Sequence, residues 1–461
     1  MEHPDYRATL ERLYQRRRFG MRPGLEVIEA LLAALDHPER RFPAVHVTGS
    51  KGKGSTAAMT QAILRAHGLR TGLFTSPHLA SYRERVVVNA RKIPHDAVAA
   101  GVARVEAAAE ALQAARTIDR PPTFFEVTTA LALDWFARQK VDAAVVEVGI
   151  GGRLDATNVL DSKVGVITTI ELEHTEILGP TVEAIAEEKS GILHPGMTGV
   201  VGEVPAGARR VIDRAAQRAG VSLWDLGIEV RVKDRTLSAD GQALTVQLPG
   251  RTLTDLEVPL LGRFQAGNAA LATAASFRFL TMLGRPAEES AVRRGLAGVR
   301  WPGRLQRVAR HPELFYDVAH TPQSALALVQ SLAEISPLVD PAESAIVFGM
   351  LAGKDLPRIL DALAPLARTL VVVQVRSSRA VPAGDLRAAA AGRFPRVVLA
   401  RNAAEALRLA RAATGPDGLT LVTGSDYLVG ELMRDEESAD EPDLSDPGQE
   451  GPPSTSTTPG R

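Results

Sequence analysis

Residues 45–55 read Val-His-Val-Thr-Gly-Ser-Lys-Gly-Lys-Gly-Ser, and this stretch carries the strongest signal about the fold. An apolar run at residues 42–47 ends in a loop with three glycines and two lysines within six residues, and helix-forming residues follow from 56 to 66. This order predicts a strand, a tight loop and a helix. Such a loop turns backbone N–H groups and the positive end of the helix towards a phosphate chain, and Lys53 can reach the outer phosphates. We therefore expect a bound nucleoside triphosphate.

The loop departs from the standard P-loop pattern at two positions. Counting back from Lys53, the first glycine would stand at Val47 but is found at Gly49, and the residue after the lysine is Gly54 rather than Ser or Thr. The alternative is an ordinary glycine-rich turn between a strand and a helix. A Gly-Lys pair at the start of a helix favours a shortened phosphate loop.

The composition predicts two domains in a cytoplasmic protein. A chain of 461 residues with 45% hydrophobic content is too long for one ordinary domain and can fill two cores. It has no cysteine, which excludes disulfides and thiolate metal sites. The first twenty residues are charged and polar, and no apolar run approaches the ~20 residues that cross a bilayer, so we expect no membrane span.

The charge is balanced overall but unevenly distributed. Residues 435–450 hold eight acidic residues and no basic one, although the whole chain has 54 of each sign. Residues 1–434 therefore carry a net positive charge, which suits polyanionic small molecules such as nucleotides. No basic stripe with interleaved aromatic residues is present, so we expect no nucleic-acid partner.

A second informative stretch is the β-branched run at residues 143–148, which is typical of a buried parallel strand. Glu147 stands at its carboxyl end, before three glycines within four residues. Ligands of open α/β sheets bind at this end of the strands, so Glu147 is predicted to hold Mg²⁺ on the triphosphate. The alternative is an ion pair with Lys53 or Arg153, because a buried glutamate needs a partner.

Two other predicted strands end near the same place. Ser76 follows the strand predicted at residues 69–75, in a Thr-Ser-Pro-His-Leu loop from which it can reach a metal ion, although a plain Ser-Pro turn is the alternative. His174 follows the strand predicted at residues 164–170 and is expected beside Glu147. Lys189 lies on a predicted helix, where a lone lysine is usually a surface residue.

The pattern changes along the second half of the chain. Residues 199–260 alternate short strands and turns and are interpreted as a peripheral sheet, and a boundary is expected near residues 296–302. Beyond it, five apolar runs separated by helical stretches predict a smaller, mostly parallel sheet, at residues 314–318, 345–348, 369–375, 396–399 and 419–422. Asp317, His320 and Ser425 follow these strands, where a second substrate would bind.

Taken together, these segments closely resemble the folylpolyglutamate synthase and dihydrofolate synthase family of Mur-type amide ligases, from about residue 24 to residue 430. The most specific segments are His-Val-Thr-Gly-Ser-Lys-Gly-Lys-Gly-Ser-Thr (46–56), Thr-Ser-Pro-His-Leu (75–79), Glu-Val-Gly-Ile-Gly-Gly-Arg-Leu-Asp-Ala-Thr-Asn (147–158), Glu-Lys-Ser-Gly-Ile (188–192), Trp-Pro-Gly-Arg-Leu-Gln (301–306) and Tyr-Asp-Val-Ala-His-Thr-Pro (316–322). They occur in the family's order.

The resemblance implies a role for each matching residue. The ATP-binding residues would be Gly49, Gly52, Lys53, Gly54, Ser55, Asn268, Arg304 and Asp317. The Mg²⁺ ligands would be Ser76, Glu147 and His174, at one or two metal sites, with Lys189 converted by CO₂ to a carbamate beside them. The pterin and glutamate would contact Thr123, Phe125, Arg153, Asp155, His320 and Ser425. The residues assigned to catalysis are Lys53, His174, Lys189, Arg304, Asp317 and His320.

The sequence departs from the family pattern at a few of these positions. Ser50 and Lys51 stand where the family usually has Thr and Asn, which adds a positive charge near the phosphates. Val318 and Thr321 replace a usual Gly and Asn, which leaves the positioning of the amino acid open. Ser190 replaces a frequent Ala beside Lys189.

The resemblance implies an α/β fold in which a P-loop NTPase-like domain with a mostly parallel sheet, residues 1–297, precedes a smaller Rossmann-like α/β domain, residues 298–433. Residues 434–461 are predicted to be a disordered acidic and Pro/Ser/Thr-rich tail, because they are too poor in apolar residues to fold. A monomer is expected.

The implied reaction is ATP-dependent ligation of L-glutamate to dihydropteroate, to the polyglutamate tail of a reduced folate, or to both, through an acyl phosphate. A cell-wall Mur ligase is one alternative, but those enzymes carry a longer region before the phosphate loop. A P-loop ATPase switch without ligase activity is another, but it would need no domain for a second substrate.

Overall fold

The computed structural model describes residues 4–16, 20, 22–238, 240–434 and 441, and within them the strands form three sheets. The helices are α1 (Pro4–Gln15), α2 (Glu26–Ala34), α3 (Lys53–Ala66), α4 (His95–Ala114), α5 (Phe124–Arg138), α6 (Thr175–Leu178), α7 (Val182–Ser190), α8 (Ala206–Ala219), α9 (Arg263–Met282), α10 (Glu289–Ala297), α11 (Pro322–Ile335), α12 (Leu356–Leu363), α13 (Ala383–Ala390), α14 (Ala403–Ala413) and α15 (Asp426–Met433).

The first sheet has eight strands in the order β4-β3-β2-β5-β1-β6-β7-β8. They are β1 (Ala44–Thr48), β2 (Thr71–Phe74), β3 (Val86–Val88), β4 (Arg91–Lys92), β5 (Ala143–Glu147), β6 (Ser162–Ile167), β7 (Thr198–Val201) and β8 (Ser222–Asp225). The six strands from β2 to β8 in that order are parallel, and β3 and β4 extend one edge in antiparallel pairing.

Both faces of this sheet are covered, which explains the apolar runs of its central strands. Val145 packs on one face with α3, α9 and α10, while the next residue, Val146, packs on the other with α1, α2, α4 and α5. The strong β-branched character of β5 therefore follows from burial on two sides. The predicted mostly parallel sheet is confirmed.

Three antiparallel strands form a second sheet, β9 (Arg231–Ser238), β10 (Gly241–Leu248) and β11 (Arg251–Val258). The prediction that all of residues 199–260 form a peripheral sheet is wrong for its first part. Residues 198–225 instead add β7, α8 and β8 to the main sheet, and only β9–β11 are peripheral. A β-α-β unit and an antiparallel hairpin are hard to distinguish in the sequence when each strand has only four residues, because such short strands show little periodicity.

The third sheet has six strands in the order β12-β13-β17-β14-β15-β16. They are β12 (Gln306–Arg310), β13 (Glu313–Tyr316), β14 (Ala345–Phe348), β15 (Thr369–Val372), β16 (Arg396–Leu399) and β17 (Leu419–Thr423). The five predicted runs correspond to β13–β17, which are parallel, and β12 adds an antiparallel edge. Helices α11–α13 cover one face, and α14 and α15 cover the other.

Three observations concern membrane spans, the tail and the proposed domain boundary. In the described part of the chain, none of the helices has the length and apolar character needed to cross a membrane. The predicted disordered tail lies outside the described residues, apart from Arg434 and Glu441. The proposed division at residue 297 falls between α10 and β12.

Candidate active site

The loop between β1 and α3 is folded around the side chain of Lys53. Gly49 and Gly52 have φ values of 141° and 82°, conformations that L-residues with a side chain rarely adopt. The Nζ of Lys53 donates to the carbonyl oxygen of Gly49 at 2.9 Å, so the ammonium is held across the loop. The loop thus presents backbone N–H groups, a helix N-terminus and a cation together, as an anion site requires.

Neighbouring side chains explain two of the loop's glycines. A Cβ at Gly52 would lie 2.4 Å from Oδ1 of Asn268 on α9, so the asparagine closes over the loop. A Cβ at Gly54 would lie 2.8 Å from Cζ2 of Trp301, which lies between α10 and β12. The indole ring therefore occupies the space that the Ser or Thr of a standard P-loop would fill.

Glu147 ends β5 directly beside β1, because Val47 pairs with Glu147 in the parallel register. The side chain is 4% exposed, and its Oε2 accepts a hydrogen bond from the backbone N–H of Ser76 at 3.0 Å. Burial raises the pKa of Glu147, and the nearby charges of Lys53 and Arg304 oppose that rise. The carboxylate is thus placed next to Ser76 and close to the cation of the phosphate loop.

Lys189 projects from the end of α7 into the interior and is 1% exposed, so it is not the surface lysine that its isolated position suggests. Its Nζ lies 3.0 Å from Oε1 of Glu173 and donates to the carbonyl oxygen of Gly49 at 3.1 Å. Burial lowers the pKa of Lys189 to about 8, against the attraction of Glu173. A substantial neutral fraction of this amine is therefore present near pH 8.

His174 stands before α6 with a left-handed φ of 48°. Burial lowers the pKa of His174 to about 4, although Glu173 raises it. The imidazole is therefore neutral at pH 7 and keeps a lone pair for a ligand. Histidine is among the residues that adopt this backbone conformation more readily than most.

Asp317 follows β13 and is 6% exposed. Its two carboxylate oxygens accept hydrogen bonds from the backbone N–H groups of Leu305 at 2.7 Å and Ala319 at 2.8 Å. Burial raises the pKa of Asp317 to about 6, which these hydrogen bonds and Arg304 moderate. The carboxylate thereby fixes the backbone next to Arg304.

His320 is held by its own loop. Its Nδ1 lies 2.9 Å from the carbonyl oxygen of Val318, which can only accept, so Nδ1 carries the proton and Nε2 keeps its lone pair. Burial lowers the pKa of His320 to about 3, and the cations Lys51, Lys354 and Arg304 lower it further. His320 is therefore neutral at pH 7. Its Nε2 can accept a hydrogen bond but does not hold a proton.

The residues expected around a pterin converge on the loop after β5. A Cβ at Gly149 would lie 2.6 Å from Cζ of Phe125 and 3.0 Å from Oδ2 of Asp155. Asp155 is 8% exposed and accepts hydrogen bonds from the backbone N–H groups of Ile150 and Thr157, each at 3.0 Å. An aromatic face and a buried carboxylate thus lie together in a concave wall.

One cavity of about 2010 Å³ brings most of the predicted residues together. Its lining includes Gly52, Lys53, Gly54, Ser55, Ser76, Thr123, Phe125, Glu147, Asp155, His174, Asn268, Arg304, Asp317, His320 and Ser425. Three predicted residues do not line it. Gly49 belongs to the phosphate loop but turns its carbonyl oxygen to Lys189, which is buried, and Arg153 forms an ion pair with Glu188 at the surface. Thr123 and Ser425 also cap α5 and α15, respectively.

The cavity also contains cations that the residue assignments omitted. Arg85 is fully buried, donates from Nε to Nδ1 of His78 at 2.8 Å and lies over the ring of Phe124 at 5.3 Å. In the sequence Arg85 ends an Arg-Glu-Arg run, a pattern typical of residues exposed to solvent. Its burial becomes evident only from the structure, where the adjacent strand β3 pairs with β2. Lys51 and Lys354 line the cavity as well.

Sequence models of known families match two parts of the chain. The Mur ligase middle domain matches residues 47–276, and the Mur ligase glutamate ligase domain matches residues 303–426. The chain is 34% identical to the folylpolyglutamate synthase of Lacticaseibacillus casei, over 88% of its own length and 93% of that protein. It is 37% identical to the dihydrofolate synthase/folylpolyglutamate synthase of Mycobacterium tuberculosis, over 86% of its own length and 84% of the relative.

A third relative is longer than the chain. The probable bifunctional folylpolyglutamate synthase/dihydropteroate synthase of Haloferax volcanii is 37% identical over 93% of the chain, which spans 50% of that protein.

Solved structures are similar over nearly the whole chain. The Mycobacterium tuberculosis folylpolyglutamate synthase complexed with ADP has a TM-score of 0.86 and 35% identity, covering 94% of this chain and 100% of the other. An FPGS–AMPPCP–folate complex has a TM-score of 0.79 and 32% identity, covering 93% and 98%.

Proposed function

The chain belongs to the folylpolyglutamate synthase/dihydrofolate synthase family of Mur ligases, and from this premise we propose that it is an ATP-dependent ligase that joins L-glutamate to dihydropteroate, to reduced folates, or to both. One observation carries the proposal. Lys53 of the phosphate loop, Asp155 of the pterin wall and Arg304 of the C-terminal region line the same cavity. A nucleotide, a pterin acid and an amino acid can therefore meet there.

The first chemical step is transfer of the γ-phosphoryl group of ATP to a carboxylate of the pterin substrate. The bond to the β-phosphate breaks, ADP leaves, and an acyl phosphate forms. Both reactants are anions, so the step needs positive charge and alignment more than it needs a protein nucleophile. Lys53 and the N-terminus of α3 supply that charge on the ADP side, and Arg304 supplies it from the other wall.

We propose that Ser76, Glu147 and His174, which line the same cavity, would hold a magnesium ion. Ser76 offers a hydroxyl, Glu147 a carboxylate and His174 a neutral imidazole. The described residues contain no group of three or more His, Asp or Glu side chains arranged to hold a metal. Mg²⁺ usually takes only one or two protein carboxylates and completes its shell with phosphate oxygens and water, which agrees with this sparse set. When bound, Mg²⁺ would neutralise charge on the β- and γ-phosphates.

We propose that Lys189 carries CO₂ as a carbamate in the working enzyme, as the family resemblance implies. Carbamate formation needs a neutral amine, and the lowered pKa of Lys189, about 8, supplies one. In the unmodified form, Glu173 pairs with the ammonium. A carbamate would repel Glu173, so that side chain must turn away when Lys189 is modified.

In the second step, the amine of L-glutamate attacks the acyl carbon and phosphate leaves, giving an amide. The attacking amine must lose a proton, which the departing phosphate can accept. We propose that Asp317 and Nε2 of His320 accept hydrogen bonds from the incoming amine and orient it, with Ser425 nearby. With a pKa of about 3, His320 is too weak a base to keep the proton.

The two groups of residues come from different parts of the chain. Lys53 and Glu147 belong to the proposed domain of residues 1–297, whereas Arg304, Asp317 and His320 belong to the proposed domain of residues 298–433. We therefore propose that closure of the second domain over the first assembles the site. We also propose that the enzyme works as a monomer in the cytoplasm, where ATP is supplied.

The decisive experiment offers purified protein ATP, Mg²⁺ and labelled L-glutamate, with dihydropteroate or tetrahydrofolate supplied separately. Incorporation into either product supports the ligase and identifies its substrate, and Lys53→Ala should abolish it. ATP hydrolysis that is independent of both pterins, with no labelled product, would overturn the proposal.

A further inference from the structure

Glu441 is the one described residue of the acidic stretch 435–450, and it is buried. It is 7% exposed, and its carboxylate is surrounded by three donors. Oε1 accepts hydrogen bonds from the hydroxyl of Tyr6 at 2.8 Å and from the hydroxyl of Ser81, and Oε2 accepts one from the backbone N–H of Tyr82 at 2.8 Å. A carboxylate leaves water only where such partners replace its hydration.

The donors belong to a built pocket. Tyr6 lies on α1 and is 5% exposed, and Ser81 and Tyr82 are 2% and 0% exposed. They belong to elements more than 350 residues away from Glu441 in the chain. The pocket is therefore a tertiary feature, and a local turn within the acidic stretch cannot account for it.

The backbone N–H groups just before the turn at Tyr82–Arg85 and at its first residue all donate to carboxylates. Glu84 accepts hydrogen bonds from the N–H groups of Leu79, Ala80 and Ser81. The next N–H group, that of Tyr82, donates to Glu441. Buried backbone donors require an acceptor, and here that acceptor comes from the far end of the chain.

The same loop contacts the end of the last helix. A Cβ at Gly430 of α15 would lie 2.2 Å from the carbonyl oxygen of Leu79, so the helix backbone packs directly on the loop. Three residues before Leu79, the N–H of Ser76 donates to Glu147 in the cavity. The loop from Ser76 to Arg85 thus contacts Glu147 through its first residue, α15 through Leu79, and Glu441 through Ser81 and Tyr82.

We propose that Tyr6, Ser81 and Tyr82 form a carboxylate-binding pocket whose occupant is Glu441 of the same chain. This contact, which we call the strap, fastens residue 441 to the loop that runs from Ser76 to Arg85. The acidic stretch therefore has a specific docking residue, and its role is more than to add charge.

Hydrogen–deuterium exchange on the full-length protein tests the strap. Glu441→Ala removes the acceptor of the Tyr82 amide, and Glu450→Ala removes the same charge elsewhere in the acidic stretch. We expect amides in peptides covering residues 79–85 to exchange about tenfold faster or more in Glu441→Ala. They should stay at the wild-type rate in Glu450→Ala. Equal protection in wild type and Glu441→Ala, or equal loss in both variants, would overturn the proposal.

A double-mutant cycle tests the direct contact with a small change. Tyr6→Phe removes only the hydroxyl that donates to Glu441. Tyr6→Phe should lower Tm by on the order of 1–3 °C, because it breaks one hydrogen bond to a buried charge, and Glu441→Ala should lower Tm further, because it breaks three. The double variant should lower Tm by no more than the worse single variant, since the second change then removes a contact already lost. Additive shifts would mean that the two residues do not interact.

Discussion

Replacing Gly52 with alanine tests how closely the phosphate loop is packed against Asn268. Gly52 has a φ of 82°, where a residue with a Cβ costs about 1–2 kcal/mol. Its Cβ would also lie 2.4 Å from Oδ1 and 3.1 Å from Cγ of Asn268. The asparagine would have to move, although its Nδ2 donates to Oε1 of Gln265 at 2.9 Å.

Gly68, just beyond the other end of α3, provides a matched control. Its φ is also 82°, but among the described residues no heavy atom lies within 4 Å of the position of its Cβ. Gly68→Ala should therefore lose only the backbone contribution, about 1–2 kcal/mol of the free energy of unfolding, and keep wild-type kinetics. Gly52→Ala should lose a further ~1–3 kcal/mol from the clash and raise KM for ATP by about 10–100-fold.

Denaturant unfolding and steady-state kinetics at saturating pterin substrate measure both effects. Asn268→Ala in the Gly52→Ala background should recover the stability lost to the clash but not the backbone contribution. If Gly52→Ala matched Gly68→Ala in stability and kept the wild-type KM for ATP, the loop would have room for a side chain. The assignment of Asn268 as its lid would then be refuted.

Three further predictions concern the charges around the cavity. Arg304→Ala should lower kcat by about 100-fold or more in the labelled-glutamate assay, because it removes transition-state charge stabilisation, and an unchanged kcat would refute domain closure over the phosphates. Lys51→Asn introduces the residue that is usual in the family and removes a positive charge near the phosphates. It should raise KM for ATP about 3–10-fold and weaken the salt dependence of KM. An unchanged KM would mean that Lys51 does not face the nucleotide. Because burial raises the pKa of Asp317 to about 6, its carboxylate form is lost as pH falls through 6, and kcat/KM should fall with it. Asp317→Asn should be slow but lack this acid limb, and a retained limb would assign it to another group.

Part of the arrangement around Lys53 follows from the sequence, because parallel strands place their carboxyl ends at one edge of a sheet. Lys53 and Glu147 are almost a hundred residues apart, yet both stand at the carboxyl ends of predicted parallel strands, and the structure shows that β1 and β5 are neighbours. The five parallel strands of the third sheet, β13–β17, follow from the same reasoning. Alternation of short apolar runs with helices is a local signal, and it identifies strands without giving their order.

Features that depend on long-range packing could not be predicted. The burial of Arg85 depends on the antiparallel pairing of β3 with β2, and the fit of Trp301 against Gly54 depends on how the segment before β12 crosses the phosphate loop. Composition alone makes Glu441 a residue of an unstructured acidic stretch. Its burial depends on a pocket built from residues at the other end of the chain, which leaves no trace in the surrounding sequence.

The phosphate loop brings two lysine side chains to one backbone carbonyl oxygen. The ammonium groups of Lys53 and Lys189 both donate to the carbonyl oxygen of Gly49, at 2.9 and 3.1 Å. Lys53 therefore lowers the pKa of Lys189, in addition to the larger effect of burial. Two cations on one carbonyl repel each other, but Glu173 pairs with Lys189, and its attraction raises the pKa of Lys189 more than Lys53 lowers it. A polyanion at the loop would pair with the ammonium of Lys53 as well, whereas a carbamate on Lys189 would end the pairing with Glu173.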